Sequence, residues 1–261
     1  MRYLIDKRLI ESFLRRNPAL HLYELGDLDD FFFPYTSWYG HEKDGEIISL
    51  ALLYRGTELP VLLALDDSGS ASMPDLLNEL KDKLPKRFYC HLTRGCEKML
   101  EDRFSLEPHG THHKMTLTDK SLLDTTDVSG ALQLDARDKA EILEFYASAY
   151  PGNWFDARML ETGQYFGLRR NGRLASIAGI HVYSPQYKVA ALGNIATLPE
   201  FRGQGLGTRV TAALCRNLLK TVDIIGLNVK TDNADAVRCY QKLGFKITGE
   251  YNEFMANERI L

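Results

Sequence analysis

The stretch that decides the fold is Asn-Ile-Ala-Thr-Leu-Pro-Glu-Phe-Arg-Gly-Gln-Gly-Leu-Gly-Thr, residues 194–208. A strand-like run ends near Thr197, a short loop with glycines follows, and an apolar stripe at helical spacing begins at Leu206. The first N–H groups of a helix have no internal partner and carry the positive end of its dipole. Glycines let a phosphate approach those groups without a Cβ in the way. The stretch therefore predicts a strand, an anion-binding loop and a helix.

The loop suits a pyrophosphate, because Arg202 adds a fork of charged donors to the backbone N–H groups. Two other nucleotide-binding loops fit less well. A triphosphate loop needs a lysine after its last glycine, whereas Gly207 is followed by Thr208. A dinucleotide fingerprint has a different glycine spacing and an acidic residue after the next strand. A glycine-rich helix start without a ligand stays open as the structural alternative.

Composition narrows the class of protein. A chain of 261 residues fits one large domain or two near the common size of roughly 100–150 residues. Hydrophobic residues make up 44% and charged residues 26%, as in globular proteins that fill a core. The net charge of -3 gives no sign of a nucleic-acid partner, which usually requires a strongly basic domain.

The cysteines and the hydropathy give weaker indications. None of the four cysteines forms a C-x-x-C pair, so the sequence suggests no metal site and no redox dithiol. Free thiols suit a reducing compartment, and we expect a cytoplasmic protein. No apolar stretch approaches the roughly 20 residues that span a bilayer, so no membrane partner is expected.

The chain also resembles itself. Residues 38–49 and 165–176 share aromatic-aromatic-Gly, three residues, Asp or Asn, Gly, one residue, an aliphatic, one residue and Ser. Asp-Gly and Asn-Gly favour hairpin turns. Strand, helix, strand and helix patterns follow in the same order in each half, and the polar stretch 119–130 is typical of a linker. The sequence predicts two mixed α/β halves, residues 1–122 and 123–261.

Two motifs carry a resemblance to a known family. Residues 202–207, Arg-Gly-Gln-Gly-Leu-Gly, resemble the Gln/Arg-x-x-Gly-x-Gly/Ala motif of the GNAT superfamily of acyl-CoA N-acyltransferases. Residues 233–245 resemble that superfamily's Asn-x-x-Ala-x-x-x-Tyr-x-x-x-Gly-Phe segment, in the right order and one helix and one strand further on. The resemblance covers roughly residues 130–255. It implies two tandem GNAT-like mixed sheets flanked by helices, of which the N-terminal one is degenerate.

The resemblance also implies a site. Acetyl-CoA would bind as the acyl donor, its pantetheine arm along the strand, its pyrophosphate at the loop, and a further contact would come from the start of the later helix. The cofactor-binding residues so implied are Ile195, Ala196, Thr197, Arg202, Gly203, Gln204, Gly205, Leu206, Gly207, Thr208 and Asn233.

Catalysis needs two proton transfers. An amine with a pKa near 10.4 must lose a proton before attack, and the leaving thiolate must gain one. The resemblance places Tyr240 at the sulfur as the acid, although a core aromatic is the structural alternative. For the base, Glu161 is our candidate, His181 and Glu200 are weaker ones, and a water relay stays open.

The sequence therefore predicts an N-acetyltransferase that moves the acetyl group to a primary amine by direct attack in a ternary complex. A non-catalytic acyl-CoA-binding sensor or scaffold is the alternative, and transfer of a larger acyl or aminoacyl group stays open. We expect the acceptor to be a small-molecule amine or a peptide amine. Its identity stays open, because neither the fold nor the cofactor motif determines the acceptor.

The first half is expected to bind no CoA. Where the second half has its glycine loop, residues 66–75 carry Asp66, Asp67 and Asp75, whose like charge repels a phosphate. Pro74 removes a backbone donor near the helix start, and Met99 or Leu100 falls near the place of the tyrosine.

Overall fold

The structure is a computed structural model and describes residues 1–67, 69 and 71–259. The chain folds into two compact units. The first comprises Met1–Lys114, Val229–Asp232 and the C-terminal segment that starts at Thr248. The second comprises Met115–Asn228 and Asn233–Ile247, so the boundary predicted between residues 122 and 123 lies inside its first segment.

Mixed α/β structure, as predicted, fills the N-terminal part of the chain. Its helices and strands are β1 (Arg2–Leu4), α1 (Lys7–Leu14), α2 (Leu22–Gly26), β2 (Thr36–Lys43), β3 (Glu46–Tyr54), β4 (Val61–Ala64), α3 (Ser72–Leu80), β5 (Arg87–Leu92) and β6 (Phe104–Leu117).

The rest of the chain repeats the same kind of order. Its elements are α4 (Ser121–Asp124), β7 (Ala131–Gln133), α5 (Lys139–Ala149), β8 (Phe166–Arg170), β9 (Arg173–Ser184), β10 (Val189–Thr197), α6 (Leu206–Leu218), β11 (Ile224–Lys230), α7 (Ala234–Lys242) and β12 (Phe245–Glu258).

The sheet of the first unit has the strand order β1-β2-β3-β4-β5-β12. Only the β4–β5 pair among these is parallel, as expected where a helix connects two strands. The C-terminal strand β12 pairs antiparallel with β5, from Asn252 opposite Leu92 to Asn257 opposite Arg87. Its Ala256 is buried in the same core cluster as residues of β5 and α3. The last strand of the chain thus completes the first unit.

The sheet of the second unit has the order β11-β10-β9-β8-β7, and β10 and β11 are its parallel pair. Helix α6 connects that pair. Its predicted apolar stripe is buried throughout: Leu206, Val210, Ala213, Leu214 and Leu218. Both units therefore contain a hairpin, a third antiparallel strand and a helical crossover to a parallel strand, which is the predicted internal repeat.

The two predicted hairpin turns are confirmed. Asp44 and Gly45 have φ values of 53° and 81°, and Asn171 and Gly172 have 52° and 81°. Positive φ values at both central residues define a type I′ turn, whose twist matches that of the two strands it connects. These are among the few residue types that accept this backbone without strain.

Other boundaries differ from the prediction. The second helix predicted for the first half is a 3₁₀ turn, Cys96–Met99, and the strand β6 begins soon after it, at Phe104. The first part of β6 could not be predicted from hydropathy, because its middle residues are polar and only residues near its two ends are buried. The expected linker contains α4, whose Leu123 is buried.

Three observations bear on the expected absences. All four cysteines are free thiols. Within the described ranges, no helix is long and apolar enough to cross a bilayer. The same residues contain no group of three His, Cys, Asp or Glu side chains placed to hold a metal ion.

Candidate active site

A cleft opens in the second unit where β10 leaves β11. The parallel pairing runs from Val189 opposite Ile224 to Leu192 opposite Leu227. On its other side β10 keeps pairing with β9, but the register shifts after Gly193. The C-terminal end of β10 therefore has main-chain groups outside the β11 register, and these face the cleft.

The turn that redirects β10 is centred on Asn194. This residue is buried and has a φ of 54°, in the left-handed region that few residue types other than glycine tolerate. The hydroxyl of Tyr146, on α5, donates to the Asn194 main-chain oxygen at 2.6 Å. The Asn194 side-chain Nδ2 donates to the hydroxyl of Tyr165 at 3.1 Å. The Tyr165 hydroxyl in turn donates to the main-chain oxygen of Ile180. We call Tyr146, Asn194 and Tyr165 the Asn194 latch.

The glycine loop has the backbone of an open anion site. Gly203 and Gly205 both have a φ of 75°, and a Cβ on either would meet no atom within 4 Å. Gly205 is the N-cap of α6, so the first N–H groups of that helix follow it directly. Gly207 has no positive φ, and its Cβ would meet only Thr197 Oγ1, at 3.4 Å. Packing within the protein therefore does not require glycine at residue 207.

The charged side chains of the loop are arranged around that start. Arg202 is exposed and uses its Nε to donate to the Thr197 oxygen at 3.2 Å, which anchors the guanidinium beside the loop. Gln204 donates from Nε2 to the Glu200 oxygen at 3.3 Å. The Glu200 carboxylate pairs with Arg173. The loop thus keeps its acidic residue engaged with a cation outside the cleft.

Helix α7 forms the opposite wall. Asn233 is its N-cap, and the side chain accepts from the Ala236 N–H at 3.2 Å. About two turns further along the helix, Tyr240 is 9% exposed. It packs beside Phe245, with the two ring centroids 6.0 Å apart. Burial raises the pKa of the Tyr240 hydroxyl well above its ordinary value. The hydroxyl consequently stays protonated at neutral pH and can act as a donor.

The cleft has a volume of about 670 Å³. Eleven of the sequence-predicted residues line it: Ile195, Ala196, Thr197, Arg202, Gly203, Gly205, Leu206, Gly207, Thr208, Asn233 and Tyr240. Two predicted residues lie elsewhere. The side chain of Gln204 turns back to Glu200, and Glu161 is exposed on the 3₁₀ turn Ala157–Thr162. Most of the predicted residues thus lie together around one cleft, and the role of each of them, including Glu161 as the general base, stays a prediction.

The weaker base candidates have different surroundings. His181 is half-buried, and its ring occupies the space beside Gly193 of β10, where a Cβ on Gly193 would meet its Cδ2 at 2.0 Å. This position is next to the Asn194 turn. Glu200 is held by Arg173, as described above, which fits a surface charge better than a base.

Further lining residues were not predicted from the sequence. Tyr150 and Ala149 contribute from the end of α5, and Arg238, Cys239 and Lys242 contribute from α7. Cys239 Sγ lies 3.2 Å from Thr208 Oγ1, and burial raises its pKa, so it is a poor nucleophile. Arg238 and Lys242 are four residues apart, so they lie on one side of α7, and this spacing could have indicated both once α7 was known to line the cleft.

The corresponding strands of the first unit stay joined. The parallel pairing of β4 and β5 runs to the last residue of each, Ala64 opposite Leu92. Beyond it, the Thr93 N–H donates to the Ala64 oxygen, and Asp66 N–H donates to Thr93 Oγ1 at 2.7 Å. Thr93 Oγ1 in turn donates to the Asp66 oxygen at 3.1 Å. Thr93 thus bonds the ends of β4 and β5 together, at the position that corresponds to the opening between β10 and β11 in the second unit. Ser68 and Ser70 of the following loop lie outside the described residues.

Comparison with known proteins gives the family. Residues 131–245 match the family model described as "Acetyltransferase (GNAT) family". Over 128 residues the chain is 33% identical to [ribosomal protein bS18]-alanine N-acetyltransferase of Escherichia coli strain K12, covering 48% of this chain and 78% of that protein. The chain belongs to the GNAT family of acetyltransferases. It is an acyl-CoA-dependent N-acetyltransferase, as predicted.

Solved structures extend the likeness to both halves of this GNAT chain. A tandem GNAT protein from the clavulanic acid biosynthesis pathway has a TM-score of 0.58 at 13% identity and covers 98% of each chain. A GCN5-related N-acetyltransferase from Sphaerobacter thermophilus has a TM-score of 0.59 at 13% identity, covering 98% of this chain and 95% of that one. At this identity the likeness concerns the fold alone. It confirms the predicted fold of two tandem GNAT-like halves.

Proposed function

We propose that this enzyme transfers the acetyl group of acetyl-CoA to a primary amine by direct attack in a ternary complex at the β10–α7 cleft. The observation that carries the proposal is the geometry of that cleft. A helix start with open space over its glycines lies at one end, strand groups outside the β11 register follow, and a buried tyrosine lines the opposite wall. Acetyl-CoA, when bound, supplies the activated acyl group and a thiolate leaving group.

The loop from Arg202 to Thr208 would hold the pyrophosphate. Backbone N–H groups at a helix start bind anions because they are unpaired and carry the positive end of the dipole. Open space over Gly203 and Gly205 gives those groups access to a phosphate. Arg202, anchored through its Nε, still has both terminal nitrogens for charged hydrogen bonds.

Strand β10 would hold the pantetheine arm. Beyond Leu192, its main chain is free of the β11 register, and Ile195, Ala196 and Thr197 line the cleft. An extended ligand with amide groups can add to such an edge as an extra strand does. Asn233 lies at the start of the facing helix and would contact the same ligand.

Tyr240 would protonate the leaving sulfur. Its raised pKa keeps the hydroxyl protonated before the reaction, so Tyr240 can direct its O–H at the sulfur as the thiolate develops and cannot take the proton of the amine. The amine must lose its own proton by another route, since Tyr240 already carries one. His181, beside the Asn194 turn, and Glu161, on the exposed turn before β8, are the side chains we propose to test for that step, directly or through water.

The acceptor would enter beside the end of α5. Tyr150 lines the cleft and is 46% exposed, and Trp154 is 40% exposed in the loop that follows. Exposed aromatic side chains near a cleft commonly mark a binding surface. The related E. coli enzyme is named for an alanine of a ribosomal protein, so a peptide amine belongs among the acceptors to be tested.

The test is a panel of amines incubated with acetyl-CoA, in which release of free thiol is measured. The panel contains glycine, a polyamine, an aromatic amine, a peptide with an N-terminal alanine and a peptide with an internal lysine. We expect rapid thiol release with one class above the rate of hydrolysis. Binding of acetyl-CoA without transfer to any amine would instead indicate a sensor module.

Two variants of one residue check that the loop is the donor site. Gly205→Glu places a carboxylate at the helix start and should abolish acetyl-CoA binding, because like charges repel. Gly205→Asn is the matched control, since asparagine tolerates a positive φ and carries no charge. Calorimetry should show binding by the asparagine variant only. Equal binding by two folded variants would contradict the assignment.

A further inference from the structure

Helix α7 presents a pair of cations to the cleft. Arg238 and Lys242 both line it, and their spacing of four places them on one side of the helix. They come from a different element than Arg202, which belongs to the glycine loop. The cleft therefore has two separate positive regions, one at the start of α6 and one along α7.

Only one acidic side chain offsets these charges among the described residues that line the cleft. This residue is Asp235, which is exposed and pairs with Arg238. Three cations and the dipole of α6 thus face one carboxylate. Two of the three cations lie on α7, across the cleft from the loop where a pyrophosphate would bind.

Coenzyme A carries its negative charge in two places. The pyrophosphate is one, and the phosphate monoester on the 3′-oxygen of the ribose is the other. A phosphate monoester carries a charge of about −1.5 to −2 at neutral pH and has three acceptor oxygens. A guanidinium and an ammonium four residues apart on a helix are suitable partners for such a group.

We propose that Arg238 and Lys242 bind the 3′-phosphate of coenzyme A, so that this enzyme selects coenzyme A over 3′-dephospho-coenzyme A. The inference rests on the proposed function, because it takes acetyl-CoA as the ligand of the cleft. The loop at Gly205 serves the pyrophosphate, which both donors share. Arg238 and Lys242 on α7 bind the 3′-phosphate, which is present in coenzyme A and missing from 3′-dephospho-coenzyme A.

Asp235 tunes this selection. Its ion pair holds Arg238 while no phosphate is present, and its charge opposes an approaching phosphate. Both side chains are largely exposed, at 63% for Arg238 and 92% for Asp235, so the effect is modest and screened by salt. Asp235→Asn should therefore strengthen binding of acetyl-CoA a few-fold and leave acetyl-dephospho-CoA unchanged.

The experiment measures the dissociation constants of acetyl-CoA and acetyl-dephospho-CoA for the full chain at low and high salt. Wild type should bind acetyl-CoA about 10-fold more tightly at low salt, with a smaller ratio at 0.5 M salt, as expected for roughly two exposed charge contacts. The variant Arg238→Gln/Lys242→Gln should bind both donors equally, at the affinity that wild type has for acetyl-dephospho-CoA. The control Lys220→Gln/Lys246→Gln removes two exposed cations outside the cleft lining and should keep the wild-type ratio.

Three results would overturn the inference. Equal affinity of wild type for the two donors would show that the 3′-phosphate is not recognised. An unchanged ratio in the α7 double variant would assign recognition to other groups. An equal loss for both donors in that variant would mean that α7 binds the pyrophosphate. If wild type bound neither donor, the proposed function itself would fail, and that result differs from the other three.

Discussion

The hydroxyl of Tyr146 donates a hydrogen bond of 2.6 Å to the main-chain oxygen of Asn194, and both residues are buried. This bond joins α5 to the residue at which β10 turns away from β11. Because Asn194 has a positive φ, the direction of the following three residues depends on a left-handed backbone conformation, which few residue types other than glycine and asparagine adopt readily. The latch therefore controls the geometry of the strand groups at the cleft.

We expect Tyr146→Phe to raise the KM for acetyl-CoA several-fold and to lower the free energy of unfolding by about 1–3 kcal/mol. The buried Asn194 oxygen would lose its donor while the aromatic ring is kept. Steady-state kinetics and urea unfolding of the same preparation measure the two effects. A KM equal to that of wild type would show that the latch is only structural.

The side-chain and backbone roles of Asn194 can be separated. Asn194→Ala loses the side chain and meets the cost of a positive φ, whereas Asn194→Gly loses the side chain alone. The glycine variant should therefore bind acetyl-CoA more tightly than the alanine variant. Calorimetry with acetyl-CoA tests this order, and the reverse order would argue against a role for the left-handed turn.

Tyr240→Phe should lower kcat by about 10²–10⁴, which is the usual effect of a positioned acid. Its dissociation constant for acetyl-CoA should change little, because the ring still packs against Phe245. The measurement compares kcat, determined with the best acceptor of the panel, with the calorimetric affinity for acetyl-CoA. Turnover at the wild-type rate would show that Tyr240 is a core aromatic only.

One molecule of CoA should bind per chain. In the first unit, Thr93 joins the ends of β4 and β5, so the position that corresponds to the open cleft is closed by main-chain and side-chain hydrogen bonds. Asp66 and Asp67 follow and would repel a phosphate. Equilibrium titration of the intact chain measures the stoichiometry. A value of two, or binding that persists in Gly205→Glu, would place a site in the first unit.

The sequence predicted the glycine loop and the facing helix because both depend on local chemistry. A positive φ favours glycine, asparagine and aspartate, and an N-cap favours a side chain such as that of Asn233, so residue type and position are linked directly. The same holds for the Asp44-Gly45 and Asn171-Gly172 turns. These features could be located without knowledge of the tertiary structure.

The latch and the completion of the first unit could not be predicted in this way. Tyr146 donates to a main-chain oxygen 48 residues away, and any residue type offers such an acceptor. Strand β12 pairs with β5, although its sequence alternates poorly between apolar and polar residues. Both features depend on which distant segments meet, and that information lies in the packing of the whole unit.

A last prediction concerns Asp27, which follows α2 and is 5% exposed. Burial raises the pKa of the Asp27 carboxyl well above 3.8, and the negative charge of Glu24 is a second, smaller cause. Between 3.8 and this raised pKa the folded protein holds a proton that the unfolded chain has lost. Stability from this group is therefore complete at low pH and is lost as the pH rises through that window, by at most about 1.4 kcal/mol per pH unit.

Asp27→Asn keeps the shape of the protonated carboxyl and cannot ionise, so its free energy of unfolding should exceed that of wild type by an amount that grows with pH. Urea unfolding of both proteins at pH 5, 6, 7 and 8 measures this difference, which should stop growing above the folded-state pKa. The control Asp124→Asn removes an exposed carboxylate and should give a difference that varies little over the same range. A constant difference for Asp27→Asn would mean that Asp27 stays ionised in the folded protein, with a partner that compensates its burial.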